Sequence, residues 1–265
     1  MAKTVPFEQP LRGVLHLPEV TPAGTVVVAH GFKAFMGWGM FPWIADRLAE
    51  AGFAAIRFDF SFNGADEQGD FTRLDLFERN SYSQEQRDLD QLLKAIAAGA
   101  EPFGGVCRPD RVGLLGHSRG GGGVLLRAAG DSRVAAVATL GAVANADRFP
   151  PDARETAERE GRYFIPNART GQDMPVGFHA FLDAEKHDIV GAVAAMTQPL
   201  LVIHGSDDET VGIQDGRDLA AAGGDLLEIE GAGHTFGAVH PFEGPPPQLL
   251  EAIDAAVGFF RTHLP

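Results

Sequence analysis

A single serine lies between two glycines at the point where a strand-like run of apolar residues gives way to a helix-like segment. The run is GHSRG at 116–120, and apolar residues at helical spacing follow it over 119–129. A strand that turns sharply into a helix brings two backbones together, which requires small residues two before and two after the serine. Gly116 and Gly120 meet this requirement. The sequence therefore predicts a strained turn that presents the hydroxyl of Ser118 as a nucleophile.

Short apolar runs alternate with longer segments of helical period along most of the chain. Strands are predicted at 11–17, 25–29, 54–58, 111–115, 134–139, 199–203 and 225–229. Helices are predicted at 41–51, 83–98, 119–129, 214–222 and 247–262. This alternation is typical of an α/β fold with a mostly parallel, twisted sheet flanked by helices, in which we expect the first strands to be antiparallel.

The alternation lapses between residues 145 and 190. This stretch is charged, interrupted by Pro and Gly, and contains scattered aromatic residues. It is too long for an ordinary connection between a strand and a helix, so we interpret it as a lid. The chain's 265 residues, 45% of them hydrophobic, are enough for one large core. We predict a core formed by 1–144 and 191–265, with the lid inserted at 145–190.

Charge and composition limit the kinds of partner. A formal net charge of -14 disfavours nucleic acid and anionic membrane surfaces, and also strongly acidic substrates unless a local basic pocket compensates. The lone Cys107 excludes an internal disulfide framework and fits a reducing compartment, although secreted bacterial enzymes can also lack disulfides. The first ten residues contain no apolar signal core, and no apolar run approaches the ~20 residues of a membrane span. We expect a cytoplasmic protein that acts on a small molecule.

A serine nucleophile needs two partners at neutral pH. A neutral imidazole must accept its proton, and a carboxylate must orient that imidazole. Active sites of parallel sheets lie at the carboxyl edge of the strands, so both partners are expected in loops that follow later strands. The loop 204–211 contains Asp207 and Asp208, and the loop 230–236 contains His234. We predict a triad of Ser118, His234 and one of these two aspartates. Along the chain these residues come in the order serine, acid, base.

Other residues compete for these roles or support them. His240 is the alternative base, and Asp147 is a third choice of acid. The backbone N–H groups of Phe32, in the turn after the strand 25–29, and of Arg119, at the start of a helix, are predicted to hold a developing oxyanion. His30 and His204 each precede a glycine at a strand end, and we interpret both as residues that orient loops. The sequence contains no H-E-x-x-H motif, paired-cysteine motif or phosphate-binding loop, so neither a metal nor a cofactor is expected.

From about His30 to Phe236 the chain resembles the α/β-hydrolase superfamily of serine hydrolases. The resemblance implies the α/β-hydrolase fold, with a small lid after the sixth strand of the family's order. The family spacing His-Gly-x-x-Asp-x-x-Val, present at 204–211, selects Asp208 over Asp207 as the acid. The resemblance therefore implies a Ser118, Asp208, His234 triad that works without metal or cofactor.

Within the superfamily, the chain resembles small bacterial carboxylesterases of the feruloyl (cinnamoyl) esterase type. The features that resemble them are the short amino-terminal part, the turn 30–32, the lid and the loop 204–211. Those enzymes hydrolyse carboxylic esters through an acyl-serine, and their lid shapes the acyl pocket. This chain departs from them at 60–64, where it has FSFNG in place of a glycine-rich G-x-G-x-S turn.

The resemblance implies a serine carboxylesterase for a small-molecule ester with a small to medium acyl group. The predicted substrate contacts are Phe35, beside the turn 30–32 (the oxyanion turn), and Tyr163, Phe164 and Phe178 of the lid. Alternatively, the lid aromatics pack the lid onto the core. The same triad could instead act on a thioester, a lactone, a peracid or an aminoacyl amide. A less favoured alternative is a hydrolase-fold protein that only binds a ligand.

Overall fold

The computed structural model describes residues 2–6 and 11–264, and describes side chains from residue 11 onward. The expectation that residues 1–10 hold no signal core thus lies largely outside the described residues. In chain order the strands are Ala2–Pro6 (β1), Arg12–His16 (β2), Thr25–Ala29 (β3), Ala54–Asp59 (β4), Val112–His117 (β5), Val134–Leu140 (β6), Arg162–Pro166 (β7), Asp173–Gly177 (β8), Leu200–Gly205 (β9) and Asp225–Ile229 (β10). The helices are Phe41–Glu50 (α1), Leu74–Glu78 (α2), Tyr82–Ala97 (α3), Arg119–Ala128 (α4), Ala153–Glu160 (α5), Phe178–Ala184 (α6), Ile189–Ala195 (α7), Ile213–Gly223 (α8) and Pro247–His263 (α9).

Eight of the strands form one sheet in the order β1-β2-β4-β3-β5-β6-β9-β10. β2 pairs antiparallel with both β1 and β4, and every later pairing in the sheet is parallel. The predicted mostly parallel sheet with antiparallel first strands is therefore confirmed. Every strand and helix predicted from the sequence is present, and no boundary differs by more than two residues. β1 was not predicted, because AKTVP has no alternating apolar pattern.

The core lies on both faces of this sheet. β3 is fully buried and all its residues except Ala29 are β-branched, as expected for a central parallel strand covered on both sides. α1 and α9 cover one face, and α9 turns Leu249, Ile253, Ala256 and Phe260 inward at a spacing of three and four residues. α3, α4, α7 and α8 cover the other face. This arrangement aligns the carboxyl ends of β3, β5, β6, β9 and β10 at one edge.

Residues 145–188, which we call the lid, form a small unit above that edge. They contain α5, an antiparallel hairpin of β7 and β8, and α6. Buried lid side chains such as Met174 and Phe181 form a cluster with Phe71 and Phe77, which come from the segment after β4. α7, which begins at Ile189, packs instead against α4 and α8. Among the helices in the described ranges, none combines the length and hydropathy needed to cross a bilayer.

Candidate active site

The turn between β5 and α4 presents Ser118. Its backbone has φ +56° and ψ -124°, a region that costs a residue other than glycine energy and is concentrated at functional sites. The flanking glycines are required by close contact. A Cβ on Gly116 would lie 2.5 Å from the carbonyl oxygen of Gly120, and a Cβ on Gly120 would collide with the carbonyl oxygen of His30. The strand-turn-helix geometry expected for a serine nucleophile is therefore present at this position.

Two hydrogen bonds link Ser118, His234 and Asp208 in a chain. The Nε2 of His234 lies 2.9 Å from the Oγ of Ser118, and its Nδ1 lies 2.7 Å from the Oδ2 of Asp208. The three side chains come from loops after β5, β9 and β10, at the carboxyl edge of the sheet. Because the carboxylate accepts the Nδ1–H, the Nε2 facing Ser118 is left free to accept the proton of the hydroxyl.

The loop after β9 holds Asp208 in one orientation. Its Oδ1 accepts the backbone N–H groups of Thr210 at 2.9 Å and Val211 at 2.8 Å, which leaves Oδ2 for His234. Burial raises the pKa of Asp208, but the hydrogen bonds from His234 and from the Val211 N–H outweigh burial, so the net pKa is lowered. His204 fixes the same loop, because its Nε2 donates to the carbonyl oxygen of Val211 at 2.8 Å.

The competing residues lie elsewhere. Asp207 is exposed and its Oδ1 accepts a hydrogen bond from the hydroxyl of Ser206. Asp147 accepts a long hydrogen bond from the backbone of Phe149 within the lid. His240 accepts the backbone N–H of Gly39 at 2.9 Å and stacks on Trp38. Of the two adjacent aspartates, only Asp208 is bonded to His234.

Two backbone N–H groups are positioned beside Ser118. Phe32 follows Gly31, where a Cβ would lie 3.0 Å from the Cβ of Ser118, so the turn after β3 runs directly over the serine. Arg119 is the first residue of α4, whose first turn leaves N–H groups without helical partners. In the described part of the chain, neither the Phe32 nor the Arg119 N–H donates to another group. His30 steadies the turn, since its Nδ1 bonds the Gly31 carbonyl at 2.8 Å.

A cavity of about 460 Å³ opens above Ser118 and His234. Its wall combines core residues with residues of the lid. The lining residues away from the nucleophile and base are Phe32, Lys33, Tyr82, Arg119, Val143, Ala146, Arg148, Phe149, Pro150, Tyr163, Ile165, Pro166, Thr210 and Val211. The composition is largely apolar with a few polar groups, as expected of a site for a small molecule.

The predicted substrate contacts divide into one that lines the cavity and three that do not. Tyr163 belongs to the lining. Among the described lining residues, Phe35, Phe164 and Phe178 are absent, so we do not retain them as substrate contacts. Phe164 is 49% exposed because it alternates outward on β7, whereas Phe178 packs into the lid cluster. Phe35 is buried against His240 and Arg169.

Three residues at the candidate site were not predicted from the sequence: Lys33, Tyr82 and Gly141. Lys33 directly follows the predicted oxyanion donor Phe32, a position that could have identified it. Tyr82 is brought to the site by α3, and nothing in its local sequence indicates this. Gly141 directly follows β6 and has φ +53°, and a Cβ there would lie 3.2 Å from the Oδ2 of Asp208 and 3.4 Å from the Nδ1 of His234. Across the described ranges, no three His, Cys, Asp or Glu side chains group together as metal ligands.

Comparisons with known proteins agree with this architecture. Residues 26–248 match the model of the alpha/beta hydrolase family. The esterase domain of a Rhodothermus marinus protein is 21% identical and superposes with a TM-score of 0.69 over 100% of both chains. Est1E from Butyrivibrio proteoclasticus, also solved with ferulic acid bound, is 18% identical, with a TM-score of 0.71 over 99% of this chain and 98% of that one.

A lipase is also among the similar structures. The monoacylglycerol lipase of Paleococcus ferrophilus is 17% identical, with a TM-score of 0.72 over 96% of this chain and 100% of that one. No curated protein sequence matches significantly. Because none of these identities exceeds 21%, the similarity establishes that the proteins share a fold and no more.

Proposed function

Because this chain belongs to the α/β-hydrolase family, we propose that it is a serine carboxylesterase acting on small-molecule esters with small to medium acyl groups. The observation that supports this most is the chain of two hydrogen bonds, 2.9 Å from Ser118 to His234 and 2.7 Å from His234 to Asp208, at the floor of the cavity. The ester carbonyl of a molecule in that cavity would meet the Ser118 hydroxyl with the base already hydrogen-bonded to it.

In the first half of the proposed reaction, the Oγ of Ser118 attacks the ester carbonyl carbon while the Nε2 of His234 takes the hydroxyl proton. The carbonyl oxygen becomes an oxyanion, which accepts hydrogen bonds from the N–H groups of Phe32 and Arg119. Each such donor typically contributes ~2.7 to 4 kcal/mol to lowering the barrier. The intermediate then collapses, the carbon–oxygen bond to the alcohol breaks, and His234 returns its proton to the departing alcohol.

In the second half, water attacks the acyl-serine. His234 removes a proton from the water, a second oxyanion forms at the same donors, and collapse releases the carboxylic acid and restores the serine hydroxyl. Asp208 keeps its negative charge throughout and stabilises the imidazolium formed in each half. Serine, imidazole and water suffice for both halves, so the proposed reaction calls for no metal or cofactor.

The charge and the cysteine content support a proposal about the partner and the location of the protein. The net charge of -14 opposes binding to nucleic acid and to anionic membrane surfaces, so we assign it a small-molecule partner. The single cysteine, Cys107, is buried, and burial raises the pKa of its thiol to about 11, so it stays a thiol at neutral pH. We propose a cytoplasmic location, consistent with a chain that has only one cysteine.

Turnover of a panel of esters tests the function. We would measure kcat/KM for p-nitrophenyl esters of graded acyl length and for methyl ferulate, with wild-type protein and with Ser118→Ala. We expect wild-type turnover of at least the shorter p-nitrophenyl esters and a loss of about 10⁴-fold or more in kcat/KM in the variant. A Ser118→Ala protein that keeps more than a few percent of wild-type turnover would overturn the mechanism, and a wild-type protein inactive on the whole panel would overturn the substrate class.

A further inference from the structure

The cavity above Ser118 contains a positively charged side chain that has no carboxylate partner among the described residues. Lys33 lines the cavity, and its Nζ donates to the backbone carbonyl oxygen of Pro166, on the lid hairpin, at 3.0 Å. Within the described residues, no carboxylate lies within 4.0 Å of this ammonium group. Burial lowers the pKa of Lys33, and no neighbouring charge offsets that effect. A partly buried ammonium with only a neutral acceptor is better stabilised by a negatively charged ligand.

The backbone of Lys33 is also in an unusual conformation. Its φ is +55°, in the left-handed region that a lysine seldom adopts. This conformation comes immediately after Phe32, whose N–H is one of the two proposed oxyanion donors. The strain directs the chain through the oxyanion turn and places the Lys33 side chain on the cavity wall, between the core and the lid.

A second cation, Arg119, lies on the same wall. Its Nε donates to the Oε1 of Glu85 at 2.8 Å, and its guanidinium lies 3.8 Å from the centre of the Tyr82 ring. Only 14% of its side chain is exposed. Among the described groups, none accepts a hydrogen bond from its two Nη atoms. The guanidinium plane of Arg119 is stacked on Tyr82, and its Nε is bonded to Glu85. The two Nη atoms therefore form a fixed pair of donors for a planar anion.

The third cation on the wall, Arg148, differs from these two. Its Nη1 bonds Asp215 at 2.8 Å and its Nη2 bonds the Thr210 carbonyl at 3.0 Å, so its charge and donors are already used. Glu85 and Asp215 do not belong to the lining, so the described cavity wall contains cations but no carboxylate. The excess charge facing a bound molecule therefore comes from Lys33, and the unpaired Nη donors of Arg119 belong to the same cavity wall.

We propose that the preferred substrates are esters that also contain a free carboxylate, on either the acyl or the alcohol portion, and that Lys33 and the Nη edge of Arg119 bind that carboxylate. This inference rests on the proposed esterase function and specifies its substrate class. The protein's net charge of -14 repels anions at long range, so an anionic substrate requires this local cluster. The Lys33 contact to Pro166 further implies that a bound carboxylate links the oxyanion turn to the lid.

Matched pairs of substrates test the proposal. Monomethyl glutarate and methyl 5-methylhexanoate have the same shape but differ in whether the acyl group ends in a carboxylate or an isopropyl group. The pair 3-acetoxypropanoate and 3-methylbutyl acetate makes the same comparison on the alcohol portion. The expected result is that kcat/KM for the anionic member exceeds that of its neutral partner by at least tenfold in one pair. The pair that shows the preference identifies which portion of the substrate contacts Lys33.

Three variants connect that preference to Lys33. Lys33→Met removes the charge, Lys33→Arg keeps it, and Lys94→Met removes an exposed lysine that is paired with Asp90 on α3. We expect Lys33→Met to reduce the ratio of anionic to neutral kcat/KM by about tenfold, Lys33→Arg to restore most of it, and Lys94→Met to leave it unchanged. If Lys33→Met does not fold, competitive inhibition of wild-type turnover by glutarate, compared with 1,5-pentanediol, provides the same test, and stronger inhibition by glutarate is expected.

The measurements distinguish failure of the substrate inference from failure of the proposed esterase function. If the neutral esters are cleaved as well as their anionic partners, or if the preference survives in Lys33→Met, the substrate inference is wrong while the esterase function stands. Equal inhibition by glutarate and the diol would likewise overturn the inference. If no ester of either pair is cleaved and a fluorophosphonate does not label Ser118, the esterase function itself fails; labelling without cleavage of any ester in either pair overturns the inference alone.

Discussion

His117 donates a hydrogen bond from its Nε2 to the backbone carbonyl oxygen of His234 at 3.0 Å. A carbonyl oxygen only accepts, so Nε2 must hold the proton and Nδ1 must be the bare nitrogen. Burial lowers the pKa of His117 to about 3, with a further contribution from the neighbouring ring of His234. The ring is therefore neutral at physiological pH. The residue before Ser118 thus positions the loop that contains the proposed base.

Replacing His117 with phenylalanine should separate positioning from binding. The variant keeps an aromatic ring beside Phe41 but removes the donor to the His234 carbonyl. We expect kcat to fall by about 10- to 100-fold with little change in KM, because a small displacement of the base weakens proton transfer more than substrate binding. Steady-state kinetics measure both constants, and circular dichroism checks the fold. A kcat within twofold of wild type would show that the bond does not position His234.

Asp208→Asn should nearly abolish turnover while Asp207→Asn should not. The amide at 208 cannot hold the Nδ1 proton of His234 as a carboxylate does, and such a change in a triad costs about 10⁴-fold in kcat. Asp207 is exposed and is bonded to Ser206 rather than to His234, so its amide variant should change kcat by less than about twofold. Comparable losses in the two variants would contradict the assignment of Asp208.

The lowered pKa of Asp208 also predicts how stability depends on pH. Because the folded-state pKa lies below the unfolded value of about 3.9, ionised Asp208 stabilises the fold above that pH, and the contribution disappears as pH falls through the folded pKa. Asp208→Asn should therefore be less stable than wild type at pH 7, with a smaller difference at pH 3. Urea unfolding at the two pH values measures this. A difference that grows toward acid would have the wrong sign.

Replacing either of two glycines of α4 with alanine should change the free energy of unfolding, in opposite directions. A Cβ on Gly121 would lie 2.5 Å from the Cβ of Ala142, so Gly121→Ala should destabilise the protein by about 1–3 kcal/mol. At Gly123 the nearest atoms are 4.0 Å away, so Gly123→Ala should stabilise it by about 0.5–1 kcal/mol through higher helix propensity. Denaturant unfolding compares the two. Destabilisation by both variants would show that α4 packs more closely at Gly123 than the structure indicates.

Neighbouring aromatics on β7 provide a matched test of the cavity wall. Tyr163 faces the cavity, whereas Phe164 alternates outward and is 49% exposed. Tyr163→Ala should widen the cavity and shift the preference toward longer acyl chains, and Phe164→Ala should leave the chain-length profile of p-nitrophenyl esters unchanged. Profiles that shift equally in both variants, or in neither, would contradict this placement of β7.

The core of the fold could be predicted because its elements have strong local patterns. The β-branched run of β3 and the three- and four-residue spacing of α9 fix a strand and a helix without tertiary information. The lid could not be predicted in the same way. β7 and β8 are short, and their pairing depends on packing over Phe71 and Phe77, far earlier in the chain. The hairpin of β7 and β8 was therefore not predicted from the sequence.

The candidate site also has one part that could be predicted from local sequence and one part that could not. The motifs around Ser118, Asp208 and His234 each have local signatures, and the structure brings all three residues into contact. The cavity wall does not have such signatures. Which of Tyr163 and Phe164 faces inward depends on the register of the hairpin, and Tyr82 reaches the site only through the packing of α3. Gly141 matters because of the space it leaves beside Asp208, which no local pattern reveals.

The most direct test of the central claim is mass spectrometry of the intact and digested protein after treatment with a fluorophosphonate. We expect one adduct per chain, located on Ser118, that forms rapidly in wild type, slowly in His234→Ala and not at all in Ser118→Ala. Labelling at another residue, or the absence of labelling in a folded wild-type protein, would contradict the claim that Ser118, His234 and Asp208 form a working nucleophilic triad.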